Sequence, residues 1–174
     1  MRLTAFTDYT IRTLVYLGLR PQKLVTIADI ATAYGISANH LMKVVHQLGH
    51  GGYISTLRGP RGGLKLARPA SAINLGEVVR QTEPDMELAP CFGTGPCCRI
   101  RAECTLSKVL SEALQGFFGV LDRYTLADLI AGHESSLAGL LGIPGQLYPA
   151  AVALPSATDM ASDSVVPSGS SPAP

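Results

Sequence analysis

Apolar residues recur with helical spacing along the first fifty positions of the chain. Over residues 7–19, Ile11, Leu14, Val15, Leu17 and Leu19 mark one helix face. Thr7 is placed to cap that helix, and Asp8 to sit in its first turn, where a carboxylate suits the helix dipole. After a turn around Pro21, the stretch TIADIATAYGISANHLMKVVHQL predicts two further helices. Thr26 caps the first, Ile27, Ala28, Ile30 and Ala31 face inward, and Gly35 ends it. Ser37 caps the second, in which Leu41, Val44, Val45 and Leu48 form an i, i+3, i+4, i+7 stripe. Two helices joined by a short glycine-containing turn make a helix-turn-helix.

The pattern then shortens. Two strand-like runs, residues 53–57 and 64–67, flank a Gly-Pro-Arg-Gly-Gly turn and predict a β-hairpin, which directly after a helix-turn-helix is a wing. NLGEVVRQ, residues 74–81, reads as a short helix, and residues 82–104 as loop. Over residues 105–121 a helical pattern returns, with Leu106, Val109, Leu110, Ala113, Leu114, Phe117, Phe118 and Leu121 on a stripe too wide for one small domain to cover. A second helix from a partner chain is the expected cover, and packing within the chain is the alternative. YTLADLI adds a last short helical segment.

The expected fold is therefore mainly α with a small β-hairpin wing: a winged helix-turn-helix DNA-binding domain over residues 1–82, a loop over 83–104, and a dimerisation helix with a short C-terminal helix over 105–131. Residues 132–174 carry no Lys or Arg and become rich in Ser, Pro and Ala, so they are expected to be a disordered tail.

Charge sharpens this picture. The overall formal charge is only +1, yet the first eighty residues hold ten basic and three acidic groups, a net +7. A basic amino-terminal half suits double-stranded DNA. On the second helix of the helix-turn-helix, Asn39, Lys43, His46 and Gln47 lie away from the apolar stripe, with Ser37 and His40 near the helix start that meets base edges. Asn and Gln can pair with adenine, and Lys with guanine or phosphate. Arg58, Arg61 and Lys65 bring positive charge to the wing. An ordinary solvated helix face is the competing reading for each residue alone, and the conjunction favours DNA. Residues 1–12 lack an apolar signal core, and prolines at 144, 149 and 155 interrupt the uncharged run over 135–158. The expectation is a cytoplasmic protein, off the membrane, with reduced cysteines.

All four cysteines fall within CFGTGPCCRIRAEC, residues 91–104. Cys91 and Cys98 are separated by six residues, and Cys98 and Cys104 by five, wider than the two to four that are usual between paired zinc ligands. Such spacing leaves room to wrap an iron–sulfur cluster, for which thiolates are suitable soft ligands. Zinc, a thiol–disulfide switch and inert thiols stay open on spacing alone. Cys97 and Cys98 are adjacent and their side chains diverge, so three cysteines remain where a cubane cluster needs four ligands. The missing ligand then comes from elsewhere, and oxygen is a candidate.

MRLTAFTDYTIRTLVYL, IADIATAYGISANHLMKVVHQL, LRGPRGGLKLARPASAINLGEVVR, the cysteine loop and LDRYTLADLI, taken in order over residues 1–131, resemble the NsrR-like nitric-oxide-sensing repressors. These lie within a wider family of winged-helix regulators that includes the cluster sensor IscR. The resemblance implies a homodimeric repressor whose long helix after the cysteines forms the dimer. It implies an iron–sulfur cluster, 4Fe-4S before 2Fe-2S, held by Cys91, Cys98 and Cys104. Cys97 departs from the family pattern and is an alternative to Cys98. The fourth ligand it implies is Asp8 from the partner subunit, against which stands a local ion pair between Asp8 and Arg12, four residues apart. It further implies that promoter DNA is bound when the cluster is intact and released when nitric oxide nitrosylates it.

Three other functions compete. An IscR-like sensor of cluster supply is expected to offer a histidine soon after its last cysteine, and here none follows before His133. A zinc-stabilised DNA-binding regulator fits the winged helix without the cluster. An iron–sulfur electron carrier has no use for a basic winged helix. No phosphate loop, nucleophile triad or paired-carboxylate motif points to an enzyme.

Overall fold

A computed structural model describes residues 2–89, 92, 100 and 103–143. Cys91, Cys97 and Cys98 lie outside these described residues, as does the chain from residue 144 onward.

Helix α1 spans Ala5–Gly18 and begins earlier than the sequence suggests. Its cap is Thr4, whose Oγ1 accepts from the Thr7 backbone N–H at 3.3 Å. Glu83 explains the choice: its Oε1 accepts from both the N–H and the hydroxyl of Thr4, at 2.8 and 3.2 Å, and so anchors the entry to the helix. Thr7 instead sits inside α1, fully buried, and donates its hydroxyl to Thr82 at 2.9 Å. Thr7, Thr10 and Thr13 make a buried polar edge beside the buried Leu14, Tyr16 and Leu17. Thr13 is satisfied by the Tyr9 carbonyl at 2.7 Å.

Helix α2 spans Ile27–Tyr34 and opens on a capping box in which Thr26 and Asp29 satisfy each other's backbone N–H. Gly35 closes it at φ +64°, a left-handed geometry that glycine adopts without steric cost. Only Ile30 on this helix is fully buried. Ile27 and Ala31 pack partly, and Ala28, expected inside, faces solvent. Helix α3 spans Ala38–His50 and buries the expected four, Leu41, Val44, Val45 and Leu48. Ser37 holds the N-cap position through its carbonyl, which accepts from His40 and Leu41 at 3.1 Å. Its hydroxyl makes no capping bond.

Strands β1 (Ile54–Leu57) and β2 (Gly63–Leu66) pair antiparallel, Ile54 opposite Leu66 and Leu57 opposite Gly63. Val25 adds a bridge to Leu64, its N–H and C=O both bonded at 3.0 and 2.7 Å. A side chain at position 63 would press on the Val25 backbone, so glycine permits that approach. The buried Tyr53, Ile54 and Leu64 join the hairpin to the helical core.

Helix α4 spans Leu75–Thr82, α5 Thr105–Leu121 and α6 Leu126–Ile130. Residues 73–80 and 122–126 are laced together. The Leu75 N–H donates to the Tyr124 carbonyl at 3.0 Å and that of Leu126 to the Ile73 carbonyl at 2.8 Å. Arg80 grips both oxygens of Asp122 at 2.7 Å and lies over the Phe118 ring at 4.2 Å. Leu126 and Ile130 return to the same core as α1 and α3, so α6 belongs with the winged helix and not to a separate dimerisation unit. The fold also continues past residue 131. Helix α7 spans Glu134–Leu140, and Ala138 and Ile143 are buried in the core. The expected tail over 132–174 is thereby corrected for its first twelve positions, whose few apolar residues are enough once α1 and α6 supply a surface. In contrast, the 17-residue α5 buries none of its residues and leaves Leu106, Val109 and Val120 about half exposed or more.

Candidate functional site

An α-helix turns about 100° per residue, so the inward stripe of α3 fixes what its other side presents. Asn39, Lys43, His46 and His50 point away from the core and are exposed. His40 and Gln47 lie on the flank toward α1, and the His40 ring stacks on Tyr9 with centroids 6.1 Å apart. His50 accompanies His46 one turn on, ring centroids 4.3 Å apart, with its Nδ1 2.9 Å from the His46 carbonyl oxygen. The sequence reading omitted His50, although its i+4 spacing from His46 was a usable signal. It also omitted Met42, although the stripe of Leu41, Val44, Val45 and Leu48 leaves that side chain off the buried face.

Arg58, Arg61 and Lys65 of the hairpin are all exposed. Neither these three nor Lys43 forms an ion pair with another described residue. Two other basic residues are occupied internally. Arg68 lies over the Tyr53 ring at 4.1 Å and reaches Glu77 at 3.7 Å, and Arg80 is held by Asp122. Lys43, Arg58, Arg61 and Lys65 carry exposed charge outside these pairs, as do Lys23, Lys108 and Arg123 elsewhere on the surface. Between α3 and the wing runs an open groove, its floor formed by Ile27, Val45 and Ile54 and its rim by Met42, His46 and Arg58.

Of the expected metal ligands, Cys104 is described. It is a free, partly buried cysteine at the N-cap position of α5, with no capping bond from its side chain. Asp8 lies exposed in the first turn of α1, where the local ion pair is present: Arg12 Nε reaches its Oδ1 at 3.0 Å. Arg12 also lies 5.7 Å from the ring centre of Tyr34 on α2. Burial pushes the Tyr34 hydroxyl up to about 12, with nearby Arg12 opposing the shift. Among the described residues no group of three or more His, Cys, Asp or Glu side chains is placed to hold a metal ion. No helix among them is long and apolar enough to cross a membrane.

The family Rrf2, described as iron-dependent transcriptional regulator, matches residues 3–132. The chain belongs to the Rrf2 family. It is 47% identical over 136 residues to the HTH-type transcriptional regulator NsrR of Bacillus subtilis, covering 77% of this chain and 93% of that protein. The regulator of the same name from Bacillus licheniformis is 46% identical over 136 residues, 77% of this chain and 95% of that one. Among solved structures, T. potens IscR superposes with a TM-score of 0.61 at 23% identity, over 75% of this chain and 86% of that chain. This likeness shows the fold. As an Rrf2 protein of the NsrR type, the chain is a DNA-binding transcriptional regulator, not an enzyme. Helix α7 lies beyond the residues that Rrf2 matches.

Proposed function

We propose that this protein is a homodimeric repressor that releases promoter DNA in response to nitric oxide, sensed at an iron–sulfur cluster. The observation that carries the reading is the 46–47% identity to two NsrR regulators over nearly their whole length, joined to the resemblance on which nitric oxide sensing rests. The available donors suit such a cluster. Cys104 offers an unpaired, accessible thiol, and Asp8 a carboxylate whose exposed pair with Arg12 is worth only a few tenths of a kcal/mol. Exchanging Arg12 for another partner therefore costs Asp8 little.

In this reading Cys91, Cys98 and Cys104 of one subunit, with Asp8 of the partner subunit, hold the cluster. Bound there, it supplies iron that reacts with nitric oxide. Helix α5, unburied in the single chain, pairs with its copy through Leu106, Val109 and Val120. Tyr9, next to Asp8, stacks on His40 at the start of α3, so a pull on Asp8 is felt where the recognition helix begins. A released Asp8 returns to Arg12, and the two recognition helices lose the spacing that a paired operator demands. Differential DNA affinity of the two arrangements is what makes the switch.

Anaerobic native mass spectrometry of freshly purified protein, before and after nitric oxide, tests this. The expected result is a dimer carrying iron–sulfur mass that converts to nitrosylated forms. A dimer carrying only zinc and indifferent to nitric oxide leaves the DNA-binding regulator and removes the sensor. Asp8→Ala, with cluster retained, is expected to uncouple DNA affinity from nitric oxide, and an unchanged response refutes the Asp8 link.

A further inference from the structure

Helix α3 carries one large apolar side chain on its exposed side. Asn39, His40, Lys43, His46, Gln47 and His50 are polar there, whereas Met42 is 51% exposed. It lies within roughly a quarter turn of the outward direction and one position from Lys43. Met42 belongs neither to the core nor to the partly buried side chains packed on it, so the fold of the single chain does not use it. It stands at the mouth of the groove between α3 and the wing, beside His46, Thr56 and Arg58. A partner that covers this rim faces unpaired cations as well as a flexible thioether, which describes a polyanion offering one apolar feature. The major groove of DNA offers one such feature, the C5-methyl of thymine. Methionine, unbranched and polarizable, can adapt its three side-chain torsions to a methyl group.

We propose that Met42 reads thymine by contact with its C5-methyl, and so contributes to operator choice alongside the polar residues of α3. The proposal rests on the DNA-binding role of α3 and adds a base to it. Lys43 and Arg58 supply the phosphate grip that places the helix, and Met42 discriminates among sequences once it is there.

The test uses the full-length protein under anaerobic conditions. Duplexes are first selected from a randomised pool with the unaltered protein. Each thymine of the selected site is then replaced singly by deoxyuridine, which removes only the methyl group. Loss of one buried methyl corresponds to roughly a fourfold weakening at the contacted position. The expected result is such a penalty at one thymine per half-site, abolished in Met42→Ala and retained in Met42→Leu. Alanine at this exposed helical position favours the helix, so the variant folds. An identical deoxyuridine penalty in Met42→Ala, or no penalty anywhere with the unaltered protein, overturns the role of Met42 while DNA binding stands. If no duplex is enriched at all, sequence-selective binding itself falls and Met42 with it.

Discussion

Replacing Asn74 by alanine removes two strong bonds made by one side chain and a longer one, from its Nδ2 to the Tyr124 carbonyl at 3.4 Å. Asn74 Oδ1 caps α4 by accepting from the Glu77 N–H at 3.0 Å, and its Nδ2 donates to the Asp122 carbonyl at 2.7 Å, where α5 gives way to α6. A lost N-cap of this kind costs about 1 kcal/mol, and a lost hydrogen bond between neutral groups, here exposed to solvent, costs about 0.5–1 kcal/mol more. Asn74→Ala is therefore expected to destabilise the fold by about 1.5–2 kcal/mol, a fall of roughly 5–10 °C in melting temperature for a unit of this size. Asn74→Asp separates the two parts. It keeps the capping acceptor, now charged favourably toward the helix N-terminus, but sets a carboxylate against the Asp122 and Tyr124 carbonyls. About half the loss is expected. The assay is thermal and urea unfolding at one fixed protein concentration, so that the proposed dimerisation affects every variant alike. A shift below roughly 2 °C for Asn74→Ala, or equal losses for the two variants, would falsify the assignment of two separate bonds.

At the same joint, Gly76→Ala places a methyl group against the Asp122 carboxylate, which swings off Arg80 to admit it; alanine's better helix propensity offsets the loss of that exposed pair, so the net change in urea unfolding is expected to stay within about 1 kcal/mol, and a loss above roughly 2 kcal/mol refutes the yielding carboxylate. Burial pushes the Tyr53 hydroxyl up to about 12, and neither Glu77 nor Arg68 nearby reaches hydrogen-bonding geometry with it. Since the folded value lies above the unfolded value near 10, stability is full below pH 10 and falls as pH rises toward 12. Tyr53→Phe should flatten that alkaline decline and cost little near pH 7, which pH-dependent unfolding would show. Arg58→Ala should reduce the slope of log binding constant against log salt by about one, whereas Arg80→Ala, whose charge is spent on Asp122, should leave the slope unchanged; equal slopes for Arg58→Ala and the unaltered protein deny the wing its phosphate contact.

Local periodicity carried much of the fold. The α3 stripe, the hairpin and the 105–121 span of α5 were legible because each repeats with a helix or strand period over its own few residues. Of the candidate site, the exposure of Lys43, Arg58, Arg61 and Lys65 was legible in the same way from charge and position, whereas of the cysteines in the 91–104 loop only Cys104 lies among the described residues. Readings that depended on a distant neighbour went astray. Thr7 looked like a cap, but Glu83, some eighty positions away, moves the start of α1 to Thr4 and leaves Thr7 inside. Ala28 looked buried and is exposed, and residues 133–143 looked like tail and are folded.

The sequence by itself determined the elements, their polarity and the family, since hydrogen bonding within a helix or hairpin and the alternation of apolar with polar side chains are properties of short stretches. Tertiary structure decided which side chains of each sort are covered. Met42 and Leu41 are adjacent apolar residues on one helix, yet one is 51% exposed and the other fully buried. Burial is a property of what packs against a surface, and α1 and the hairpin reach α3 from parts of the chain that no local pattern connects.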